Sequence, residues 1–197
     1  LFNTLSIDLH NIEEKDFDNP LGLSSGAGAI FGTTGGVMEA TLRTAYYYYT
    51  GKDLVDFELE EVRNISLKKE GKIDFAGIEL NICTVNSLEE TKVILDEIKA
   101  TGTCKYQFIE VMNCPMGCIG GVGQWTIDKD ILMKRREAIF SYDREHEYKA
   151  AHQNMFIKDL YEAHIGNVGG TKAHELMHTH YDDRSKEKAE EFSCKFP

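Results

Sequence analysis

Two cysteines separated by three residues, Cys114 and Cys118, lie in the stretch EVMNCPMGCIGGVGQW. Thiolates are soft donors that suit iron–sulfur clusters, zinc and copper(I). Pro115 rigidifies the turn between them, and the glycines that follow free main-chain N–H groups to point at an anionic cluster. A [4Fe–4S] cluster needs four protein thiolates, and no other cysteine is an obvious partner, neither Cys83, Cys104 nor Cys194. From spacing alone, both a metal site and two ordinary buried thiols remain open.

A second stretch, HELMHTHY, matches the H-E-x-x-H pattern of zinc proteases through His174, Glu175 and His178. Imidazoles at that spacing lie on one helical face. A metzincin would also need a glycine and a third histidine further on, and a gluzincin places its acidic ligand well downstream. Only 19 residues follow His178. We therefore expect no zinc protease, and predict that His174 and His178 hydrogen-bond loop carbonyls and anchor the last helix.

The stretch GTTGGVME, from Gly32 to Glu39, is similar to a phosphate-binding turn at the start of a helix. It lacks the lysine of a P-loop and the full spacing of a dinucleotide fingerprint. Its glycines are instead predicted to let the backbone approach a cofactor closely, with Phe31 and Met38 supplying an apolar wall. No convincing catalytic triad or carboxylate pair is found elsewhere, so the cysteine and glycine stretches form the candidate site.

Composition and charge narrow the function classes. The 197 residues are 42% hydrophobic and carry a net charge of −11, which argues against a broad nucleic-acid surface, because phosphate binding needs clustered Lys and Arg. No apolar run approaches the roughly 18 residues of a membrane span, and the first residues lack a signal-peptide pattern. Five scattered cysteines favour a reducing interior. We expect a cytoplasmic protein and, because the first residue is Leu1, a processed chain or a piece of a longer one.

The elements that must position these residues indicate an α/β fold, in which a parallel-type sheet is flanked by helices and followed by an all-helical tail. Strands are predicted for FELEEVRNIS, IELNICTV and YQFIEVM, and KKEGKIDF is predicted to be a turn with a short strand. Strand, helix, strand spacing implies a parallel unit with a right-handed crossover. Because open α/β sheets bind ligands at the carboxyl ends of their strands, Cys114 and Cys118 lie where a site belongs.

Local signals predict the helices. One begins after Gly35 and Gly36 and ends at Gly51. Another begins at a capping box, Ser87 with Glu90, and ends at Gly102; its inward-facing residues are predicted to be Val93, Ile94 and Ile98. Beyond Thr126 the chain is predicted to be helical at about Asp128 to Tyr142, Asn154 to His164 and Thr171 to Tyr181. We accordingly predict an α/β lobe over 1–126, a helical region over 127–184 and a charged tail over 185–197.

Four stretches, in this order, resemble the C-terminal part of the iron-only ([FeFe]) hydrogenase catalytic domain: DNPLG, IFGTTGGVMEATLRTAY, IEVMNCPMGCIGGVGQ and AHELMHTHY. The resemblance runs from about Asp16 to Arg184, and the cysteine stretch is its most specific part. It makes HELMH look like part of the tail helix that, in periplasmic members, belongs to a separate small subunit. The activity that the resemblance implies is reversible reduction of protons to dihydrogen.

In that family the active site is the H-cluster, a [4Fe–4S] cube joined through one cysteine sulfur to a diiron unit with CO, cyanide and a bridging dithiolate amine. Carried over by position, Cys114 corresponds to a ligand of the cube, and Cys118 to the ligand that also bridges to the diiron unit. Met112 corresponds to the side chain that presses against the diiron unit. The resemblance also implies a pocket wall around the diatomic ligands, made of Phe31, Gly32, Gly35 and Gly36.

The chain departs from the family in what it lacks. The motifs T-S-C-C-P and M-P-C-x-x-K, which supply the other two cube cysteines, a proton-delivering cysteine and a lysine that grips a cyanide, are absent, as are ferredoxin-like cluster domains. We therefore predict that the chain cannot hold a stable H-cluster alone, that a missing N-terminal lobe completes the site, and that ferredoxin or another electron carrier is a partner. Asn113, Val122 and Trp125 replace residues usual in the family and are expected to add bulk beside the cluster.

Two alternatives remain open. One is a hydrogenase-like iron–sulfur assembly or scaffold protein of the eukaryotic type, which shares the cysteine loop and makes no hydrogen. The other is a sensory or degenerate protein that binds a cluster without fast turnover. The stretches GGVMEA and HTHY favour the hydrogenase. Because separate small subunits in this family are periplasmic, a periplasmic location is the alternative to the cytoplasm.

Overall fold

The computed structural model describes residues 2–8, 11–13, 15, 24–54, 58–59, 63 and 66–180. The chain divides into two compact units, Leu1–Ile157 and Lys158–Pro197. The strands are β1 (Lys68–Phe75), β2 (Ile78–Asn86) and β3 (Phe108–Met112). The helices are α1 (Phe2–Leu5), α2 (Gly26–Ile30), α3 (Gly36–Thr50), α4 (Leu88–Thr101), α5 (Lys129–Glu145), α6 (Met155–Leu160) and α7 (Thr171–Met177). Shorter turns comprise the 3₁₀ segments Cys118–Gly120 and Ala151–Gln153 and the π-helical segment Tyr161–Ile165.

The sheet is mixed, with strand order β1–β2–β3. β1 and β2 form an antiparallel hairpin, in which Phe75 pairs with Ile78. Ala76 and Gly77 have φ values of 55° and 86°, and positive φ at both central residues is typical of the turn that joins two antiparallel strands directly. β3 lies parallel to β2, from Ile82 opposite Phe108 onward. The predicted parallel unit is therefore present, whereas the prediction that KKEGKIDF is a turn with a short strand is wrong, because it forms the whole of β1.

The strand predicted over residues 57–66 lies largely outside the described residues. Its described members, 58–59, 63 and 66, belong to no strand. Its apolar residue Leu59 is instead buried in the hydrophobic core.

The hydrophobic core has a layer on each face of the sheet, because successive side chains of a strand point to opposite faces. The layer beneath α3 comprises Met38, Leu42, Leu59, Ile73 and Ile82. The layer beneath α4 comprises Cys83, Val85, Ile94 and Tyr106. A third cluster joins α2, α3 and α5 and comprises Ala27, Ile30, Ala40 and Phe140.

The ends of the helices follow the predicted signals. Gly35 and Gly51 flank α3 with φ values of 90° and 72°, a left-handed conformation that glycine adopts at little cost. The Ser87 hydroxyl accepts a hydrogen bond from the Glu90 N–H at 3.1 Å and caps α4. Along α4, Ile94 is buried but Val93 is 58% exposed. The inward position predicted for Val93 is wrong, because neighbouring helical residues point about 100° apart.

The later helices agree in place with those predicted. α5 begins at Lys129, one residue after its N-cap Asp128, and α7 begins at Thr171. The helix predicted from Asn154 to His164 is divided between α6 and the π-helical turn. α7 ends at Met177, so the last helix is shorter than predicted, and its predicted end, Tyr181, lies outside the described residues. No helix within the described part of the chain is both long and apolar enough to cross a bilayer.

A buried ion network fixes α5 against α3. Arg43 makes a two-pronged contact with Asp143, through Nη1–Oδ1 and Nη2–Oδ2 distances of 2.8 and 2.7 Å. It also donates to Glu39 at 2.6 Å, and Arg63 donates to the same carboxylate at 2.7 Å. All four side chains are buried, so each charge depends on the others to offset its lost hydration.

Candidate metal centre

Cys114 and Cys118 lie on the loop that follows β3, at the carboxyl end of the parallel pair β2–β3. Met116 and Gly117 turn the chain between the two cysteines, with φ values of 58° and 83°. Cys118 begins the 3₁₀ turn and is exposed, while Cys114 is half-buried. The alternative of two ordinary buried thiols therefore does not fit Cys118. Both cysteines are placed at the sheet edge that the sequence predicts.

The glycine loop between α2 and α3 packs against this cysteine loop through main-chain hydrogen bonds. The Ile119 N–H donates to the Gly32 carbonyl at 3.2 Å, and the Thr34 N–H donates to the Met116 carbonyl at 3.2 Å. At its other side the Thr34 hydroxyl donates to the Asn86 side chain at the end of β2, at 2.8 Å. The structure thus brings together the two stretches that the sequence singles out as the candidate site.

Most of these glycines are required by main-chain packing. A Cβ on Gly36 would lie 1.7 Å from the Ile30 carbonyl oxygen, and one on Gly120 would lie 2.3 Å from the Pro115 oxygen. A Cβ on Gly117 would lie 2.9 Å from the Gly32 oxygen. By contrast, Gly121 faces the Cys114 Sγ, at 3.4 Å from where its Cβ would be. Contacts between segments of the protein therefore explain most of the small residues, and Gly121 alone among these four has its Cβ position beside a cysteine sulfur.

Glu110, on β3, holds the glycine loop and the start of α3 through two hydrogen bonds. Its carboxylate accepts hydrogen bonds from the Gly35 N–H at 2.6 Å and the Met38 N–H at 2.7 Å, at the N-terminus of α3, where a negative charge is favoured. The side chain is buried, and this burial raises the pKa of Glu110, while the two N–H donors and Lys69 hold part of the rise back. Glu110 was not predicted from the sequence. A carboxylate in the middle of an apolar strand was the signal that could have found it.

A buried row of polar side chains crosses the three strands beneath α3. Lys69 pairs with Thr84, and Thr84 pairs with Glu110; all three are buried. Burial lowers the pKa of Lys69 to about 8, with a contribution from the charge of Arg136, while Glu110 opposes the shift. The Thr84 hydroxyl has no hydrogen-bond partner within the described residues. This row was also missed, because nothing local marks a lysine in a strand as buried.

The lowered pKa of Lys69 makes a prediction about pH. Between pH 8 and the ordinary lysine pKa of 10.5, the unfolded chain binds more protons than the folded chain, so the free energy of unfolding should rise with pH. Relative to Lys69→Met, the unmodified chain should gain up to about 1 kcal/mol per pH unit in this window. Urea unfolding from pH 7.5 to 10 measures the difference, with exposed Lys72→Met as the control. Parallel curves for the chain and the Lys69 variant would contradict it.

The apolar side chains near the cysteine loop differ in exposure. Phe31 is 48% exposed, whereas Met38 is fully buried in the core, so the prediction that Met38 lines the site is wrong. Met112, the last residue of β3, is half-buried. Val122 and Trp125 are 104% and 83% exposed, and Asn113 is exposed as well. All three replacements are therefore exposed in this structure.

Two family models match the chain, and they match it in succession. The model described as "Iron only hydrogenase large subunit, C-terminal domain" covers residues 1–122, and "Iron hydrogenase small subunit" covers residues 129–184. The chain belongs to the iron-only hydrogenase family. The resemblance seen in the sequence is thereby confirmed.

Individual relatives agree with this family assignment. The NADP-reducing hydrogenase subunit HndD of Solidesulfovibrio fructosivorans is 39% identical over 188 residues, which are 94% of this chain and 32% of that subunit. A solved variant of the [FeFe]-hydrogenase HydA1 from Chlamydomonas reinhardtii is 38% identical with a TM-score of 0.69, over 91% of this chain and 52% of that chain. This hydrogenase-family chain therefore spans about a third of the curated relative and half of the solved structure.

A relative of another class is more distant. Cytosolic iron-sulfur assembly component 3 of Bos taurus is 26% identical over 158 residues, which are 76% of this chain and 31% of that protein.

The match to the small-subunit model over 129–184 includes HELMH. The protease-like pattern thus falls in a segment of the hydrogenase family.

The histidines of that segment contact each other. His174 and His178 lie on and directly after α7, are both exposed, and have their Nδ1 atoms 3.2 Å apart. The predicted hydrogen bonds to loop carbonyls are therefore wrong, because the two rings meet edge to face instead. Among the described residues, no group of three or more Cys, His, Asp or Glu side chains is arranged to hold a metal ion.

Two of the remaining cysteines, Cys83 and Cys104, lie within the described residues. Cys83 is fully buried in β2, and burial raises the pKa of its thiol. Cys104 is exposed in the turn before β3, and Cys194 lies outside the described residues. Within the described part of this hydrogenase-family chain, Cys114 and Cys118 are thus the two thiols that share one loop.

Proposed function

We propose that this chain contributes two cysteine ligands to the H-cluster of an [FeFe]-hydrogenase that reversibly reduces protons to dihydrogen. The observation that supports the proposal most strongly is the placement of Cys114 and Cys118. One exposed and one half-buried thiol share a loop at the carboxyl end of β3, in a chain of the iron-only hydrogenase family. Soft thiolates at such a position suit an iron–sulfur cluster.

The donor set fits half of the cluster. A [4Fe–4S] cube takes four thiolates, and this loop offers two. The absent Cβ of Gly121 leaves space beside the Cys114 sulfur. The family resemblance assigns Cys114 to the cube and Cys118 to both the cube and the diiron unit. When bound, the cluster supplies the redox and proton-reducing chemistry; the residues of this chain hold and orient it.

The surrounding residues shape the site in this proposal. Met112 and Phe31 would supply apolar surface against the diiron unit. The glycine loop, with Gly32, Gly35 and Gly36, would form the wall around its diatomic ligands. The position of that wall is set by the Glu110 carboxylate, which holds the Gly35 N–H at 2.6 Å.

The missing ligands imply partners. We propose that the other two thiolates come from an N-terminal lobe of the hydrogenase domain, in the same polypeptide or another, and that ferredoxin or a similar carrier exchanges electrons with the enzyme. In this arrangement 1–126 acts as the C-terminal lobe, 127–184 as the small-subunit-like region and 185–197 as a charged tail. An anaerobic cytoplasm, with the periplasm as the alternative, is the proposed compartment.

The second candidate is an iron–sulfur assembly or sensory protein without hydrogen turnover. It is supported by the 26% identity to the assembly component. Two observations favour the hydrogenase: the identity to HndD is 39%, and a small-subunit model matches residues 129–184.

A chimaeric enzyme tests the choice between the two functions. In it, this chain replaces the matching segment of HndD, and the product is matured anaerobically. We expect cluster iron and hydrogen evolution from reduced electron donor, because the missing thiolates are then supplied. A chimaera that binds four or more irons and evolves no hydrogen would favour the assembly or sensory function.

A further inference from the structure

Arg135, on α5, grips both ends of the glycine segment that follows Cys118. Its Nη1 atom donates to the Ile119 carbonyl at 2.8 Å and to the Thr126 carbonyl at 3.0 Å. The segment between these carbonyls contains Gly120, Gly121 and Gly123, which restrain a backbone little. A charged donor shared by two carbonyls supplies the restraint that the glycines lack, because charge-assisted hydrogen bonds are among the stronger ones.

The same helix supports both loops of the candidate site. The Leu132 side chain packs under the cysteine loop, 3.3 Å from where a Cβ on Gly120 would be. Two turns further on, on the same face of the helix, Ile139 packs under the glycine loop, 3.1 Å from the corresponding position at Gly32. Both glycines admit the helix to close contact. α5 therefore lies directly behind the two loops.

α5 is itself held rigidly. Near its C-terminus, Asp143 is buried and joined to Arg43 of α3 by two hydrogen bonds of 2.8 and 2.7 Å. Phe140, one turn earlier, is buried in the cluster that joins α2, α3 and α5. The Arg63 guanidinium lies over it, with Cζ 4.0 Å from the centroid of the Phe140 ring. A helix fixed in this way can transmit a defined position to the loops that it touches.

The contact also crosses the boundary between the two family models. The cysteine loop lies in the large-subunit match over 1–122, whereas α5 lies in the small-subunit match over 129–184. The main-chain restraint on the cysteine loop thus comes from the segment that matches the small-subunit model.

We propose that Arg135 is a positioning residue through which the small-subunit-like segment holds the Cys118 loop in its ligand-ready conformation. The proposal adds to the function proposed above. It rests on that function only in taking Cys118 to be a cluster ligand. Arg135 touches the carbonyl of the residue next to Cys118, and acts on the thiol through that main chain. The local effect on the loop can be measured without any cluster.

Amide hydrogen exchange of the full chain, resolved by residue, tests the local effect. In Arg135→Met we expect exchange at Ile119, Gly120 and Gly121 to speed up by roughly tenfold, the order expected for losing a charged hydrogen bond. The Ile82 amide in β2 should be unchanged. Lys134→Met, an exposed cation on the same helix, is the matched control. Loop exchange equal in the Arg135 and Lys134 variants would overturn the proposal.

Arg135→Lys separates positioning from general stability. Lysine keeps the charge but lacks the planar fork of arginine, so loop exchange should fall between that of the unmodified chain and that of Arg135→Met. If Arg135→Met speeds up exchange at every amide, including that of Ile82, then Arg135→Lys becomes the deciding variant. Faster exchange in Arg135→Lys that is confined to the loop supports the proposal. Loop exchange equal to that of the unmodified chain overturns it.

A spectroscopic measurement then addresses the cluster. In the chimaeric enzyme, Arg135→Met should broaden the infrared bands of the diatomic ligands relative to Lys134→Met, since the ligand loop samples more conformations. Identical band widths in the two variants would contradict the positioning role. Absence of iron even in the unmodified chimaera would instead refute the proposed function and leave the exchange result standing.

Discussion

We expect Cys118→Ala to abolish hydrogen evolution by the chimaeric enzyme, with activity falling to the background of the unmatured protein. Cys118 is the exposed thiol of the loop after β3, and in the proposed site it would be the ligand shared by the cube and the diiron unit. Alanine removes this sulfur and offers no replacement ligand. Hydrogen production by gas chromatography, together with iron analysis, measures the effect.

Cys104→Ala is the matched control for this substitution. Cys104 is also an exposed free thiol, and it lies in the turn before β3, away from the loop that holds Cys114 and Cys118. Its replacement should leave hydrogen evolution and iron content nearly unchanged. Substantial hydrogen evolution from the Cys118 variant would refute the assigned role, and equal losses in both variants would show a general effect of removing a thiol.

Gly36→Ala should destabilise the fold strongly, because the glycine lies against the main chain of α2. A Cβ at this position would lie 1.7 Å from the Ile30 oxygen and 2.5 Å from the Ile30 carbonyl carbon. Both are main-chain atoms, so relief requires that α2 and α3 separate. That movement would also loosen the hydrogen bonds from Gly35 and Met38 to Glu110. We expect a loss of more than about 3 kcal/mol in the free energy of unfolding.

Gly28→Ala provides the comparison for Gly36→Ala. Gly28 also lies in a helix, but the nearest atom to its Cβ position is the Ser25 Oγ at 3.8 Å. Because alanine has a higher helix propensity than glycine, this variant should raise the free energy of unfolding, by less than about 1 kcal/mol. Urea unfolding midpoints measure both variants. Equal midpoints would show that the Ile30 carbonyl can move aside at little cost.

Local sequence signals predicted much of the fold. The Ser87 cap and the glycine at the end of α3 depend on residues close together in the chain, and the parallel pair β2–β3 follows from the order strand, helix, strand. The structure confirms all three. Two of the wrong predictions, one in the sheet and one on α4, have local causes too. The two-residue turn at Ala76–Gly77 joins β1 and β2 in a hairpin, and the apolar pattern of KKEGKIDF does not predict this strand. Val93 was placed inward although it stands beside Ile94 on a helix that buries a narrow stripe.

The candidate site was predictable only in part. The placement of Cys114 and Cys118 followed from the rule that ligands bind at strand carboxyl ends. The side chains that hold the loops were not foreseen: Glu110 bonds to residues 72 and 75 positions earlier in the chain, and Arg135 bonds to a carbonyl 16 positions earlier. Such contacts depend on tertiary packing, which a single sequence does not display. The glycines of the two loops stand out in the sequence, but their main-chain contacts explain them as well as a cofactor would.

Iron content of the chain alone, compared with that of the chimaeric enzyme, tests whether Cys114 and Cys118 supply only half of the ligands that the cube needs. After anaerobic reconstitution and desalting, the isolated chain should retain well under four irons and show no cubane Mössbauer spectrum, since a cube takes four thiolates and the loop offers two. The chimaera should retain a full cluster, and Cys114→Ser with Cys118→Ser should remove it. Four irons per isolated chain with a cubane spectrum would contradict the account, as would a full cluster in the chimaera that lacks both loop cysteines.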